Sequence, residues 1–271
     1  MTTSSTTASS TGSSTARPLL QTRGLTMRFG GVVAVDHVDF TLQERELRCV
    51  IGPNGAGKST FFKCLTGQLV PSEGDVLYRG TPIAGSGSHR IARLGVGIKT
   101  QVPNVFDGLS ARDNVWIAAA KVAPGRAAER RTDEAMARVG IAAIGHRLVG
   151  QLAHGQRQLV ELAMVLAPEP DLILLDEPAA GMTDEEVDRL VDLIAELNRS
   201  HALVVVEHDM QFIRRIARIV TVFHQGAVLI EGSVAAILTN EQVRDVYLGK
   251  QAASPPHASR GEVSAQRTEG S

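Results

Sequence analysis

The 271-residue sequence has only two cysteines, almost no net charge and no long apolar run, and each of these shortages excludes a class of protein. Two cysteines cannot form the disulfide framework of a small secreted protein, so Cys49 and Cys64 are predicted to be reduced core residues of a cytosolic protein. The 28 basic and 29 acidic side chains nearly cancel, which argues against a broad basic surface for nucleic acid. No apolar run approaches the length needed to cross a bilayer, and the runs at 172–175 and 202–206 have the length of strands.

The two ends of the chain differ in composition from its middle. Residues 1–18 are dominated by Ser and Thr, and residues 250–271 are equally polar. Such stretches cannot bury enough apolar surface to offset the entropy lost on ordering, so both are predicted to be disordered tails. The folded body is then 19–249, and we expect it to form a single domain.

Short apolar strands alternate with helical patterns in this body, which favours a parallel sheet covered by helices. Buried strands are predicted at 47–51, 172–175 and 202–206, antiparallel pairs at 20–42 and 221–230, and a capped amphipathic helix from 183 to 198. The stretch from 110 to 167 has few strand signals and many helical ones. A helical insertion, at about 102–167, is therefore expected to interrupt the sheet.

One glycine-rich segment after the first buried strand carries the strongest functional signal. It matches the pattern G-x-x-x-x-G-K-[ST], in which glycines let successive backbone N–H groups surround a phosphate at a helix N-terminus. Lys58 is expected to reach the β- and γ-phosphates, and the Ser59 hydroxyl to ligate Mg²⁺. The predicted nucleotide-binding residues here are Gly52, Pro53, Asn54, Gly55, Ala56, Gly57, Lys58, Ser59 and Thr60.

A second apolar strand ends in two acids, as a magnesium-nucleotide site requires. Asp176 follows four apolar residues at the carboxyl end of its strand, where α/β sheets place their ligands. Glu177 lies one residue further and is suited to deprotonate or orient an attacking water. An acidic pair at a strand end is commonly only solvated, but its combination with the phosphate loop favours chemistry.

These residues resemble the ATP-binding subunits of ABC transporters, and the resemblance covers about 19–249 in the family's motif order. It implies a P-loop NTPase of the α/β class, with a RecA-like, mostly parallel sheet core, an antiparallel β subdomain and the helical insertion as a subdomain. The family's L-S-G-G-Q signature corresponds to Leu-Ala-His-Gly-Gln at 152–156. The resemblance implies that Ala153, His154, Gly155 and Gln156 face the ATP of a second subunit.

The resemblance assigns three further roles. Gln101 is similar to the glutamine that reaches Mg²⁺ and the attacking water, His208 to the histidine that contacts the γ-phosphate, and Phe29 to the aromatic that stacks on adenine. Magnesium ligands are thus expected from Ser59, Gln101 and Asp176. Taken singly, the three residues also fit a surface glutamine, a satisfied strand-end histidine and a core phenylalanine.

Four departures from the family pattern are visible. Ala153 replaces the signature serine, His154 replaces a glycine, and Thr100 stands where an aromatic often precedes the glutamine. The segment 179–183 lacks the usual aspartate, which places communication between two ATP sites in question.

Within the family, the segments 179–186, 204–210 and 220–226 resemble the ATPases of branched-chain amino-acid and urea importers. The segments that most resemble the urea branch are 182–186, the stretch through 224–226 and the region 102–106. Urea is the predicted solute, with a branched-chain amino acid or a short amide as the alternative. The resemblance implies a second, different ATP-binding subunit, two permease subunits and an external solute-binding protein, with this chain peripheral on the cytoplasmic face of the cell membrane. A non-transport ABC ATPase is the less favoured alternative, since the chain has one cassette and no sustained heptads.

The permease contact is expected in the segment after Gln101. Pro103, Val105, Phe106 and Leu109 are its candidates, and ordinary packing of the helical insertion is an equal alternative. Trp116 is predicted to pack rather than to bind a partner, and residues 126–131 to form a solvated helix face.

Overall fold

The computed structural model of the chain describes residues 17–101 and 104–248. Both predicted tails, apart from Arg17 and Pro18, and the candidate contact residue Pro103 lie outside the described residues.

The strands within the described residues form two sheets. The strands are β1 Leu20–Phe29, β2 Val32–Leu42, β3 Leu47–Ile51, β4 Glu73–Tyr78, β5 Thr81–Pro82, β6 Val96–Lys99, β7 Leu172–Asp176, β8 Ala202–Val206, β9 Ile219–His224 and β10 Ala227–Ser233. An antiparallel sheet has the order β2-β1-β4-β5, and the larger sheet has the order β10-β9-β3-β8-β7-β6. In the larger sheet all neighbours are parallel except β9 and β10. The predicted mixture of a mostly parallel core and an antiparallel subdomain is confirmed.

The helices lie between these strands. They are α1 Lys58–Leu65, α2 Ser88–Arg93, α3 Ala111–Ala120, α4 Arg126–Arg138, α5 His154–Leu166, α6 Asp184–Leu197, α7 Met210–Ile216, α8 Val234–Thr239 and α9 Glu241–Leu248. Between β6 and β7 the chain forms α3, α4 and α5 with two short 3₁₀ turns and no named strand in its described part, as the sequence pattern predicts. Thr183 caps α6 through a capping box with Glu186, and the helix ends at Asn198. No helix within 17–101 and 104–248 is long and apolar enough to span a bilayer.

The central strands are buried on both faces, because the larger sheet separates two apolar cores. Successive residues of β3 point to opposite faces of the sheet, so Cys49 and Val50 belong to different cores. One core lies under α5 and α6, and the other joins α1 to the antiparallel sheet. Cys49 and Cys64 are both buried and unpaired, as expected.

Trp116 corrects one prediction. It lies on α3 as expected, but 40% of its surface is exposed. The buried face of α3 carries Ala111, Val115 and Ala119, and residue 116 is rotated about 100° from 115 on a helix. Trp116 therefore points away from the core. The predicted solvated face of residues 126–131, on α4, is exposed at Arg126 and Arg130. Arg131 of the same helix is half-buried and forms an ion pair with Glu169.

Candidate active site

The strand order of the larger sheet brings four loops to one edge. β3, β8, β7 and β6 are parallel neighbours, so their carboxyl ends point the same way. The loops that follow them carry the phosphate-loop residues, His208, Asp176 with Glu177, and Gln101, respectively. Residues up to 156 positions apart in the sequence are thereby placed together, at the edge where parallel sheets bind ligands.

The phosphate loop is enclosed on two sides by backbone. A Cβ at Gly52 would collide with the carbonyl oxygen of Phe223, and one at Gly57 with that of Ala34. Gly57 has φ 102° and precedes the first turn of α1, which has no side-chain cap. The N-terminus of α1, which no side chain caps, therefore begins directly at this loop, and a helix N-terminus of this kind favours the binding of an anion such as phosphate.

Lys58 lies within this loop and is buried. Its ammonium donates to the carbonyl oxygens of Gly52, at 2.6 Å, and Pro53, at 3.1 Å. Ser59 is exposed at the start of α1, beside the same loop. The predicted residues 52–60 therefore form the loop after β3 and the first residues of α1, and they hold the buried ammonium of Lys58.

Asp176 and Glu177 occupy the end of β7 in different environments. Burial raises the pKa of Asp176 to about 6, and the neighbouring charge of Glu177 adds to the shift. Glu177 has left the strand and adopts φ 46°, a left-handed conformation that is strained for a residue with a side chain. This conformation turns Glu177 away from the strand direction while its N–H donates to Val206 O at 2.9 Å.

Glu177 lies between the two other predicted catalytic side chains. Gln101 Nε2 donates to Glu177 Oε2 at 3.0 Å, and His208 Nδ1 lies 3.4 Å from Glu177 Oε1. Three residues that follow three different strands thus meet at one carboxylate, and their catalytic roles stay predictions.

Glu207 is a member of the site that sequence reasoning passed over. Its carboxylate is buried and accepts the N–H of Ala179 at 3.3 Å and that of His208 at 3.1 Å. Burial raises its pKa, and these hydrogen bonds oppose the shift. The available signal was an acid directly after a continuous apolar strand, the same signal that identified Asp176.

The signature loop lies at the start of α5, as predicted, and it contacts the segment that follows Glu177. His154 Nε2 lies 3.3 Å from Ala180 O, and Gly155 is so close to the Glu186 carboxylate that a Cβ would collide with it. Ala153 stands at the N-cap position, where its N–H donates to Gln156 Oε1 at 3.3 Å. These residues contact segment 180–186 rather than Glu177 or Lys58.

Phe29 ends β1 in the antiparallel sheet and is half exposed. It pairs with Val32, and two residues further Ala34 packs its carbonyl against Gly57. The hairpin that carries Phe29 therefore contacts the phosphate loop, and the stacking of Phe29 on adenine stays a prediction.

The residues of this edge fit a magnesium nucleotide. Ser59 and Asp176 offer hard oxygen donors, the type that Mg²⁺ prefers. Burial raises the pKa of Asp176 and the charge of Glu177 adds to the shift, so the ionised Asp176 carboxylate is unfavourable here and a divalent cation would stabilise it. Gln101 binds Glu177 through its amide nitrogen, so its oxygen is the atom left for a cation. Within the described residues, no group of three or more His, Cys, Asp or Glu side chains forms an all-protein metal site.

Comparison with known proteins places these features in a family. The model of the family described as "ABC transporter" matches residues 35–180. The high-affinity branched-chain amino acid transport ATP-binding protein BraF of Pseudomonas aeruginosa is 37% identical over 252 residues, covering 86% of this chain and 99% of BraF. LivG of Escherichia coli, with the same description, is 35% identical over the same shares.

Solved structures agree with the fold. The ADP conformation of MJ1267, an ATP-binding cassette of an ABC transporter, matches with a TM-score of 0.76 at 22% identity, covering 86% of this chain and 99% of that one. The cbiO1 protein of Clostridium perfringens, part of the ABC transporter complex cbiONQ, matches with a TM-score of 0.75 at 26% identity, covering 87% and 96%.

Proposed function

Because this chain belongs to the ABC transporter family and is an ABC-type ATPase, we propose that it energises the import of branched-chain amino acids. BraF and LivG, whose names state branched-chain amino acid transport, resemble it over nearly their whole length. The alternative solute of the sequence analysis thus has better support than urea. Urea finds no support among these relatives and serves as the competing solute in the test below.

The contacts of Glu177 are the observation that carries the proposed hydrolysis. Gln101 donates to one oxygen of the Glu177 carboxylate and His208 Nδ1 lies 3.4 Å from the other, and these contacts restrict the orientation in which the carboxylate can accept a proton. In the proposed reaction, Glu177 accepts a proton from the attacking water while Lys58 and the loop N–H groups bind the phosphates. Mg²⁺, held by Ser59 and Asp176, would neutralise charge on the phosphate oxygens.

We propose that the chain works as one of two ATP-binding subunits, the other being a different protein. Each ATP would lie between the loop 52–60 of one subunit and the signature loop of the other. The exposed position of the signature residues Ala153 and His154 supports this arrangement, since they remain accessible to a second subunit.

Three exposed apolar side chains that follow Gln101 in the sequence support the proposed permease contact. Phe106, Leu109 and Trp116 expose 53%, 36% and 40% of their surface, although large apolar side chains are usually buried. Val105 differs because it packs partly against the core, so ordinary packing accounts for it. We propose that Phe106, Leu109 and Trp116 form the contact with the permease. In this proposal the transporter has two permease subunits, which receive the solute from an external solute-binding protein. The chain is then peripheral on the cytoplasmic face of the membrane.

The proposal is tested by solute uptake in the host strain. Deletion of the coding sequence should abolish uptake of radiolabelled leucine but not of labelled urea, and the wild-type chain should restore it. Glu177→Gln should fail to restore uptake, because the amide cannot accept the proton, while the purified variant still binds ATP and loses at least about 100-fold in turnover. Loss of urea uptake alone would reverse the choice of solute, and near-normal ATPase activity of Glu177→Gln would remove Glu177 as the base.

A further inference from the structure

A buried ion pair outside the candidate site joins two elements that carry site residues. Lys99 ends β6, two residues before Gln101, and Glu161 lies in the middle of α5, which begins with the signature loop. Lys99 Nζ is 3.5 Å from Glu161 Oε2, and the two side chains are 2% and 4% exposed. Burial lowers the pKa of Lys99 and raises that of Glu161, and the two charges oppose these shifts.

Stability alone does not account for these charges. Replacing a buried ion pair by apolar side chains of similar volume is often neutral or stabilising, because the desolvation of two charges is costly. A carboxylate in this position therefore calls for a contact that an apolar side chain could not make.

Glu161 makes such a contact with the chain that leaves the Gln101 position. Its Oε1 accepts the backbone N–H of Asn104 at 3.1 Å. The buried Asn114 of α3 holds the next anchor, since it accepts the N–H of Phe106 at 2.7 Å and donates to Phe106 O at 3.0 Å. After Gln101, the chain is thus held to α5 at Asn104 and to α3 at Phe106.

We propose that Glu161 is a positioning residue that couples the Gln101 segment to the signature helix α5. When Gln101 shifts during the ATP cycle, Asn104 shifts with it, and the hydrogen bond to Glu161 passes the displacement to α5 and to the signature loop at its start. Lys99 holds the carboxylate in the rotamer that faces Asn104. This inference rests on the proposed function, since the signature loop acts on the ATP of a second subunit.

Two double variants separate this hydrogen bond from the charge of the pair. Lys99→Met/Glu161→Gln keeps an acceptor oxygen for the Asn104 N–H, whereas Lys99→Met/Glu161→Leu removes it. Both lack Lys99, so any effect of the lost lysine on Asp176 is common to both. Each protein is purified alone and as the membrane complex captured through a tag on this chain, and ATP hydrolysis is measured for both forms.

The isolated double variants should agree with each other within about twofold in kcat and KM for ATP. Stimulation is the ratio of the hydrolysis rate in the membrane complex to the rate of the isolated chain. The Gln variant should keep the stimulation of the wild type, and in the Leu variant this ratio should be about tenfold lower. Asn104→Pro removes the donor from the other side without touching the buried core, and it should lose stimulation in the same way. Its test stands even where the Leu variant does not fold.

The outcomes that overturn the inference are distinct from those that overturn the proposed function. Equal stimulation of the Gln and Leu variants, or full stimulation of Asn104→Pro, overturns the coupling role of Glu161 alone. A Leu variant that loses as much activity in isolation as in the complex also overturns it, because Glu161 would then act locally on hydrolysis. Absence of stimulation in the wild-type complex overturns the proposed function, and this inference with it.

Discussion

A single carboxylate, that of Glu207, joins the segments that carry the proposed catalytic residues Glu177 and His208. Its two oxygens accept N–H groups from Ala179, two residues after Glu177, and from His208. A buried N–H that loses its acceptor costs about 1–3 kcal/mol, so the backbone at both places depends on this one side chain. The orientation of Glu177 relative to His208 follows from the position of Glu207.

This dependence gives the prediction at the scale of the residue. Glu207→Gln is isosteric but offers one acceptor oxygen instead of two, so one of the two N–H groups loses its partner. We expect kcat for ATP hydrolysis to fall about 10- to 100-fold, as for small misplacements of catalytic groups, with ATP affinity unchanged. Steady-state kinetics and equilibrium nucleotide titration measure the two quantities.

Glu44→Gln is the matched control, because Glu44 is an exposed carboxylate in the turn between β2 and β3. Its kcat should equal that of the wild type. A Glu207→Gln enzyme with the wild-type kcat would show that the buried carboxylate does not position the catalytic segments.

At the scale of the element, α5 differs from α3, α6, α7 and α8 because no side chain of its N-cap residue caps its first turn. Ser110, Thr183, Asp209 and Ser233 accept N–H groups in the first turns of α3, α6, α7 and α8, respectively. Ala153 has the extended backbone of an N-cap, with φ −60° and ψ 157°, but no side-chain oxygen. The alanine that departs from the family signature is thus also a missing helix cap.

Restoring the cap should stabilise the protein. Ala153→Ser places a hydroxyl where the N–H of Gln156 can donate to it, and we expect the free energy of unfolding to rise by about 0.5–1 kcal/mol. Urea denaturation of the purified chain measures the change. Ser110→Ala is the opposite control, since it removes a 3.0 Å cap to Asp113 and should lower stability by about 1 kcal/mol. If Ala153→Ser does not raise the free energy of unfolding, the missing hydroxyl does not limit the stability of α5. The hydrogen bond from the Ala153 N–H to the Gln156 side chain would then be a sufficient cap.

The elements were predictable from sequence where the signal is local. The structure has the capped start of the helix at Thr183, the continuous apolar runs of β7 and β8, and the antiparallel pair at 221–230, and each of these depends on residues close together in the sequence. Contacts across the sequence were not predictable in this way. Glu207 has a local signal, an acid directly after an apolar strand, but its contact with Ala179 follows only from the strand order, and so does the pairing of Glu161 with Lys99.

At the scale of the whole molecule, the phosphate loop links the two apolar cores and the antiparallel sheet. It follows the central strand β3, leads into α1 and contacts Ala34 of β2 through Gly57. A ligand bound there should therefore stabilise the entire domain, because it binds the folded state and not the unfolded chain.

Nucleotide binding should accordingly raise the melting temperature in a way that depends on Lys58. In the Glu177→Gln background, which does not consume ATP, nucleotide at about 100 times its Kd adds about 2.7 kcal/mol. For a chain of this size the expected rise in Tm is about 5–10 °C.

Lys58→Ala should reduce that rise to less than about 2 °C, because it removes the buried cation that is proposed to bind the phosphates. Lys63→Ala, an exposed lysine on the same helix, should keep the full rise. Scanning fluorimetry with and without ATP measures the three shifts, and an equal rise in the Lys58 and Lys63 variants would mean that the loop 52–60 does not hold the nucleotide through Lys58.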